Sequence, residues 1–162
     1  MKPIYIFDLD GTLADGEHRL HHIQGDRKDW PAYYKACVYD KPIWPVIEVL
    51  KALRKAGAET WIWTGRSDEV QAETEQWLYS HGCLQTTMLL HWQPFNPPEQ
   101  FLMRRAGDHR NDDDLKRDWL SQLEPPEWRR LQIGGVFEDR DRVVAMWREA
   151  GLRCFQVAPG AF

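Results

Sequence analysis

The sequence lacks most of the features that identify membrane, secreted or disulfide-stabilised proteins. Its three cysteines, Cys37, Cys83 and Cys154, are odd in number and far apart, and no two of them form a CxxC pair. This spacing favours neither a disulfide framework nor a structural zinc site, so we expect a reducing, cytoplasmic location. The longest apolar runs have five residues, whereas a membrane-spanning helix needs roughly 18. Residues 1–4 also lack the apolar core of a signal peptide.

An excess of basic residues is absent as well. Lys and Arg total 21, Asp and Glu total 25, and the formal net charge is −4. Proteins that coat nucleic acid along its phosphates usually carry a basic excess, so the sequence disfavours such coating but allows the recognition of one phosphate. The length of 162 residues fits a single domain with one hydrophobic core.

Short apolar segments alternate with helical patterns along the chain. The segments predicted as strands are residues 2–8, 58–63, 86–92, 131–137 and 152–157. The helical patterns lie at residues 46–53, 67–82, 112–123 and 140–150. This alternation predicts an α/β fold with a doubly wound parallel sheet of about five strands.

Residues 15–42 interrupt this alternation, and we predict that they form a small cap inserted after the first strand. The segment is polar at first and then rich in aromatic residues. Its Trp30, Tyr33 and Tyr34, together with Trp44, could stack a base or could simply pack against the domain. Trp61 and Trp63 alternate with Ile62 along a predicted strand, which places both in the core.

Charged and hydroxyl side chains follow three of the predicted strands. Asp8 and Asp10 follow the first strand, the Thr64-Gly65-Arg66 segment follows the second, and Glu138-Asp139 follows the fourth. Because ligands of open α/β sheets bind beyond the carboxyl ends of the strands, we expect these side chains to share one crevice. Crowded carboxylates repel one another unless a cation lies among them, and Mg²⁺ suits an all-oxygen site. Taken singly, each of these residues could instead cap a helix or belong to a turn.

The sequence DLDGTL at residues 8–13 resembles the first motif of the haloacid dehalogenase (HAD) superfamily of phosphatases. Thr64 fits the second motif, Lys116 the third and Glu138-Asp139 the fourth. The resemblance covers nearly the whole chain. It implies a phosphatase fold over residues 1–162 with the cap at about residues 15–42.

The resemblance also implies a role for each motif residue. Asp8 would attack phosphorus and form an aspartyl-phosphate, and Asp10 would act as the general acid and then as the general base. Thr64 and Lys116 would hold the transferring oxygens, although Lys116 could otherwise be a solvated lysine on a charged helix. The Mg²⁺ ligands would be Asp8, the main-chain carbonyl of Asp10 and Asp139, with Glu138 as a less direct partner.

Two longer segments are similar to the 3′-phosphatase domains of phage polynucleotide kinases. These are residues 107–116 around the third motif and the tail at residues 138–162. This similarity implies that Arg19, Gly65-Arg66 and Asp112 bind the phosphate beside Thr64 and Lys116. Arg19 could instead be a surface residue, and Arg66 could pair locally with Asp68 or Glu69.

Two departures from those relatives matter. The GxxxxGK[ST] phosphate loop of the kinase does not occur in these residues, so we expect them to have no kinase activity. Glu138 stands where the relatives have Asp, and its longer side chain makes Asp139 the more direct metal ligand.

The expected function is the Mg²⁺-dependent removal of a 3′-phosphate from nucleic-acid ends or nucleotides, in the context of nucleic-acid repair. The main alternative is a phosphatase of free nucleotides or other small phosphate esters. A remote alternative is a phosphate-binding relative that does not catalyse. The expected partner is the phosphorylated substrate and not a membrane, and the sequence leaves the oligomeric state open.

Overall fold

The computed structural model of the protein describes residues 2–84, 100–123 and 132–161. Its strands are β1 (Ile4–Phe7), β2 (Ala14–Asp15), β3 (Lys41–Pro42), β4 (Glu59–Ser67), β5 (Phe101–Arg104), β6 (Ile133–Glu138) and β7 (Cys154–Gln156). Its α-helices are α1 (Trp30–Lys35), α2 (Trp44–Lys55), α3 (Gln71–Ser80), α4 (Asp112–Ser121) and α5 (Asp141–Glu149). Short 3₁₀ helices cover Glu17–His22, Ala36–Tyr39 and Asp68–Val70.

Five strands form one parallel sheet in the order β5-β4-β1-β6-β7. This arrangement confirms the predicted α/β fold class. Four of the predicted strands correspond to β1, β4, β6 and β7. The remaining strand of the sheet is β5, which the sequence analysis did not predict, and the predicted strand at residues 86–92 lies outside the described residues.

Strand β1 lies at the centre of the sheet, and its side chains pack into a hydrophobic core on each face. Ile4 and Ile6 belong to a core formed with α4 and α5, and Phe7 belongs to a second core formed with α2 and α3. Alternating side chains of a strand point to opposite faces, so an unbroken apolar strand suits this doubly covered position. The two cores fix the carboxyl ends of β1, β4 and β6 side by side.

A group of tryptophans fills the core beneath α4 and α5. Trp61 and Trp63 are fully buried, as their alternation predicts, and their ring centroids lie 6.2 Å apart. The centroids of Trp147 and Trp119 lie 5.8 and 5.9 Å from that of Trp63. Rings at such distances contribute packing energy beyond that of their buried area. Much of the tryptophan content therefore stabilises the fold.

Strand β4 is longer than predicted and contains an irregularity. The apolar pattern predicts a strand that ends at Trp63, but the structure extends it to Ser67, and its pairing with β5 shifts between Thr64 and Ser67. A bulge leaves extra residues unpaired and redirects their side chains. Ser67 also caps the 3₁₀ helix Asp68–Val70, where its hydroxyl accepts a hydrogen bond from Glu69 N, and α3 begins only at Gln71.

The segment between β1 and α2 leaves and rejoins the domain through a two-stranded ladder. β2 pairs antiparallel with β3, with Ala14 opposite Pro42 and Asp15 opposite Lys41. We call residues 14–42 the insert. It contains α1 and two 3₁₀ helices between the two short strands.

None of the helices in the described ranges 2–84, 100–123 and 132–161 combines the length and apolar character that a membrane crossing requires.

Candidate active site

A cavity of about 720 Å³ opens at the carboxyl ends of the strands. This volume is within the range of small-molecule sites in proteins. The predicted site residues that line it are Asp8, Asp10, Thr64, Gly65, Arg66, Asp112, Glu138 and Asp139. The other two, Arg19 and Lys116, lie directly behind this lining and bond to Asp10 and Asp8. The structure therefore brings together all the residues that were predicted for catalysis, phosphate binding or metal binding.

One half of the site is acidic. Carboxylate oxygens of Asp8, Glu138 and Asp139, all buried, lie within 4.8 Å of one another. Lys116 Nζ donates hydrogen bonds to Asp8 Oδ1 at 2.5 Å and to Glu138 Oε2 at 2.7 Å. We call these four residues the acidic half, in which one cation faces three carboxylates.

In the acidic half the pKa values of Asp8 and Asp139 are raised. Burial raises the pKa of Asp8 to about 8, with Glu138 adding to the shift and Lys116 opposing it. Burial, followed by the charge of Asp8, raises the pKa of Asp139 to about 6. A further cation beside these groups would favour their charged forms. The donor set is therefore suited to a divalent metal ion that prefers oxygen ligands.

Gly11 makes room for this arrangement. Its φ of +84° is strained for any residue with a side chain, and a Cβ at this position would overlap the Asp139 carboxylate. Thr12 Oγ1 lies 3.4 Å from Asp139 Oδ1, to which it donates a hydrogen bond. Asp8 and Asp139 thus hold carboxylate oxygens close together, a donor set of the kind that a hard divalent cation binds.

Both carboxylate oxygens of Glu138 accept hydrogen bonds from neighbouring residues. Oε2 accepts the hydrogen bond from Lys116, and Oε1 accepts hydrogen bonds from the main-chain nitrogens of Asp139 and Arg140 at 3.2 and 3.3 Å. These contacts favour a role in orienting Lys116 and the loop after β6.

The other half of the site is basic. Arg19 Nη2 donates to Asp10 Oδ1 at 2.5 Å, and Arg66 Nη2 also bonds to that oxygen. Both guanidiniums continue to Asp40: Arg19 Nε lies 2.8 Å from Oδ1 and Arg66 Nη2 lies 2.7 Å from Oδ2. Both arginine side chains are fully buried. We call Arg19, Arg66, Asp10 and Asp40 the basic half, in which two guanidiniums face two carboxylates.

The basic half shifts the pKa of Asp10 in the opposite direction to that of Asp8. Burial alone would raise the pKa of Asp10, but the charges of Arg66 and Arg19 outweigh it and lower that pKa below its usual range. Arg66 does not pair with Asp68 or Glu69, the local alternative that the sequence left open, because the irregularity in β4 directs it to Asp10 and Asp40.

Asp40 was not found by the sequence analysis. It is fully buried on its side chain and also lies 2.9 Å from His18 Nε2, while its carbonyl oxygen accepts a hydrogen bond from Trp77 Nε1 at 2.8 Å. A lone acid at the end of an irregular insert carries no local pattern that would identify this position.

Arg104, at the end of β5, was missed as well. Its Nε donates to the carbonyl oxygen of Gly65 at 2.8 Å, its Nη1 donates to that of Arg110 at 2.7 Å, and its Nη2 bonds to Asp112. Asp112 also accepts a hydrogen bond from Arg140 Nη1 at 2.5 Å. Arg104 therefore ties the Gly65 segment to the loop before α4.

Thr64 and Gly65 complete this side of the cavity. Thr64 is fully buried, and its Oγ1 accepts a hydrogen bond from Arg66 N at 3.1 Å. A Cβ on Gly65 would lie 2.5 Å from Asp112 Oδ1, so glycine allows the close approach of that carboxylate.

Comparison with known proteins places this geometry in a family. The model of the family described as "Polynucleotide kinase PNKP phosphatase domain" matches residues 2–162. The chain is 28% identical, with a TM-score of 0.72, to a chain of the Pnkp1/Rnl/Hen1 complex, and the match covers 99% of this chain and 47% of that one. A chain of the Pnkp1/Rnl/Hen1 RNA repair complex gives 27% identity and a TM-score of 0.73, with coverages of 99% and 44%.

The class C acid phosphatase from Bacillus anthracis shares the fold at 17% identity and a TM-score of 0.63, with 99% of this chain and 67% of that chain covered. The chain spans less than half of the length of the Pnkp1 complex chains that it matches. Because the family model matches almost all of its residues, the chain belongs to the PNKP phosphatase domain family of HAD-type enzymes and is a phosphatase.

Proposed function

We propose that this phosphatase is Mg²⁺-dependent and removes the 3′-phosphate from nucleic-acid ends through an aspartyl-phosphate on Asp8. The observation that carries the proposal is the placement of Asp8 and Asp10, two residues apart, in two halves of one cavity that shift their pKa values in opposite directions. These shifts belong to the free protein: Asp8 would ionise as the nucleophile once a cation lies beside it, and Asp10 would hold the proton of an acid–base catalyst once a phosphate engages Arg19 and Arg66.

In the first step, an Asp8 carboxylate oxygen attacks phosphorus and forms a P–O bond, while the bond from phosphorus to the ester oxygen breaks. Lys116 already engages Oδ1 of Asp8, so Oδ2 is the attacking atom. The leaving 3′-oxygen takes a proton from Asp10. In the second step, water attacks phosphorus and gives a proton to Asp10, and the bond between phosphorus and Asp8 breaks.

The guanidiniums of Arg19 and Arg66 would bind the phosphate dianion, since paired N–H donors suit its oxygens. A bound dianion also offsets the positive field that keeps Asp10 ionised in the free protein. Asp10 then holds a proton more readily when substrate is present, as the first step requires. Thr64 and Lys116 would hold the transferring oxygens.

Asp8, Asp139 and the main-chain carbonyl of Asp10 would hold Mg²⁺, which neutralises phosphate charge so that an anionic nucleophile can approach. Residues 15–42, which make up nearly all of the insert, would act as the cap within a single phosphatase domain spanning residues 1–162. Arg19 and Asp40 both belong to this segment, so the cap contributes to the phosphate site itself.

A nucleic-acid end as substrate is supported by the family description and by the relative from an RNA repair complex. A second candidate substrate is a free nucleotide or another small phosphate ester. The net charge of −4 favours it, since an acidic protein attracts a long polyanion poorly.

The test is a substrate panel with Asp8→Asn as the blank. 3′-Phosphorylated DNA and RNA oligonucleotides, 3′- and 5′-mononucleotides and glycerol 2-phosphate are compared in Mg²⁺ and in chelator. We expect Mg²⁺-dependent phosphate release that is at least about 10-fold more efficient on the 3′-phosphorylated oligonucleotides, a difference of about 1.4 kcal/mol in transition-state binding. A preference for 5′-mononucleotides would overturn the proposal, and retained turnover by Asp8→Asn would overturn the role of Asp8.

A further inference from the structure

Three aromatic side chains of the insert form a cluster beside the active site. The ring centroid of Trp30 lies 5.7 Å from that of Tyr33 and 5.9 Å from that of Tyr34, and the two tyrosine centroids are 5.7 Å apart. All three residues line the same cavity as Asp8 and Asp10. We call Trp30, Tyr33 and Tyr34 the aromatic wall.

The aromatic wall is not part of the hydrophobic core. None of the six residues of α1, which carries the wall, is buried. The side chain of Trp30 is 43% exposed, in contrast to the fully buried Trp61 and Trp63. Packing within the domain therefore does not account for a large indole at this position, and an exposed apolar surface beside a catalytic cavity is typical of a ligand contact.

The wall is also held in a fixed relation to the phosphate-binding residues. The guanidinium carbon of Arg19 lies 4.3 Å from the centroid of the Tyr33 ring, while Nη2 of the same side chain bonds to Asp10. The N-terminus of α1 is capped by Asp29, whose carboxylate accepts a hydrogen bond from Ala32 N at 2.9 Å. One arginine thus joins the aromatic surface to the site of phosphate transfer.

Resting on the proposed function, we infer that the aromatic wall stacks the terminal nucleobase of an unpaired nucleic-acid 3′ end. Stacking on an aromatic face accepts any base, because every base has a π surface. It also needs no basic track along the phosphates, which agrees with the net charge of −4. An unpaired base is free to turn its face toward the wall, whereas pairing fixes the orientation of the base in a duplex, so single-stranded or frayed ends are the preferred substrates.

The test combines removal of Trp30 with removal of the base itself. Rates are measured for wild type and Trp30→Ala on a 3′-phosphorylated oligonucleotide and on the same oligonucleotide with an abasic terminal sugar. We expect Trp30→Ala to lower kcat/KM on the complete oligonucleotide by about 5- to 100-fold, mainly through KM. On the abasic end the same substitution should change kcat/KM by less than about twofold, because the contact is already absent.

Two further variants control for indirect effects. Trp44→Ala removes a tryptophan that is 48% exposed and has Lys51 Nζ 5.2 Å from its ring centroid, but that does not line the cavity. We expect it to change neither rate. Trp30→Phe keeps an aromatic face and should recover most of the activity on the complete oligonucleotide.

The outcomes separate this inference from the proposed function. If wild type hydrolyses glycerol 2-phosphate as efficiently as it hydrolyses the oligonucleotides, the proposal of a nucleic-acid substrate is wrong. If wild type prefers oligonucleotides but Trp30→Ala lowers the rates on complete and abasic ends equally, the substrate class stands and the stacking surface is overturned. The same conclusion follows if Trp30→Ala is fully active on the complete oligonucleotide, and the wall is then free to bind another protein.

Discussion

The acidic and basic halves of the candidate active site contain four charged residues each, yet the pKa values of Asp8 and Asp10 are shifted in opposite directions. In the acidic half three carboxylates share Lys116, and the pKa of Asp8 rises to about 8. In the basic half two carboxylates share two guanidiniums, and the pKa of Asp10 falls. Burial raises both values, so the ratio of cations to carboxylates decides the direction of each shift.

Because of this difference, Asp8 and Asp10 have different binding properties although they lie two residues apart in one short loop. The acidic half lacks positive charge and is suited to acquiring a cation. In the basic half the charges of two guanidiniums and two carboxylates cancel. The guanidinium N–H groups surround the Asp10 carboxylate, so this half is suited to accepting a phosphate in competition with Asp10. Substitutions in each half, and the addition of Mg²⁺ to the acidic half, test this difference.

The largest expected effect is the loss of Lys116. Lys116→Met removes the cation that donates hydrogen bonds to Asp8 and Glu138, and leaving a buried charge without its partner costs about 3–5 kcal/mol of unfolding free energy at pH 8. Because the folded-state pKa of Asp8 already lies above its unfolded value of about 3.9, protonation restores stability as the pH falls. Denaturant unfolding at pH 8 and pH 5.5 should show a clearly smaller loss at pH 5.5.

Lys55→Met is the matched control, since Lys55 is an exposed lysine of α2. Its unfolding free energy should stay within about 0.5 kcal/mol of wild type at both pH values. A cost for Lys116→Met that does not depend on pH would contradict the view that unpaired carboxylates cause it.

A smaller effect is expected when Mg²⁺ is added or removed. Asp8 and Asp139, with pKa values of about 8 and about 6, must lose protons to act as ligands, so Mg²⁺ affinity rises between pH 5.5 and pH 8. At 100 times its Kd, the ion stabilises the folded protein by about 2.7 kcal/mol. Thermal unfolding with Mg²⁺ or with EDTA should therefore show a larger difference in Tm at pH 8 than at pH 5.5.

Asp139→Asn should abolish most of this Mg²⁺-dependent change in Tm. The opposite result, an equal response in wild type and Asp139→Asn, would place the metal elsewhere.

The smallest effect on stability is expected in the basic half. Arg66→Lys keeps the charge but cannot bridge Asp10 and Asp40 as the guanidinium does. Because Arg19 still joins the two carboxylates, the loss of unfolding free energy should stay below about 2 kcal/mol. The kcat/KM for the 3′-phosphorylated oligonucleotide should nevertheless fall about 10- to 100-fold, since the bidentate phosphate contact is lost.

Arg117→Lys provides the control, because the ion pair that Arg117 forms within the described residues, with Glu149 at 3.5 Å, is exposed. It should alter neither stability nor rate measurably. A stability loss in Arg66→Lys as large as that of Lys116→Met would show that the two halves do not differ in charge balance.

The central part of the site was predictable because its signals are local. Asp8, Thr64 and Asp139 each follow an apolar segment that ends in a turn, and parallel strands bring their carboxyl ends to one edge. Once the strands were assigned, the position of the crevice at their carboxyl ends could be predicted. The superfamily motifs then assigned expected roles that chemistry alone left open.

The residues that the sequence analysis missed depend on contacts between distant segments. Asp40 lies 21 residues from Arg19 and 26 from Arg66, and no periodic pattern links them. Arg104 is the last residue of a four-residue strand that is too short to show alternation, although a basic residue at the end of an apolar segment was a usable signal. Strand assignment therefore limited the prediction more than the chemistry did.

The ladder of β2 and β3 has a consequence for how such enzymes can diversify. It holds the two ends of the insert side by side, so segments of very different length can be exchanged between them at little entropic cost to the domain. The exchanged unit nevertheless carries Arg19 and Asp40 together with α1. Under the proposed function, recombination at this junction would therefore replace the proposed phosphate-binding arginine and the aromatic wall in one event, and we expect a chimera to remain active only if the incoming segment brings an arginine of its own.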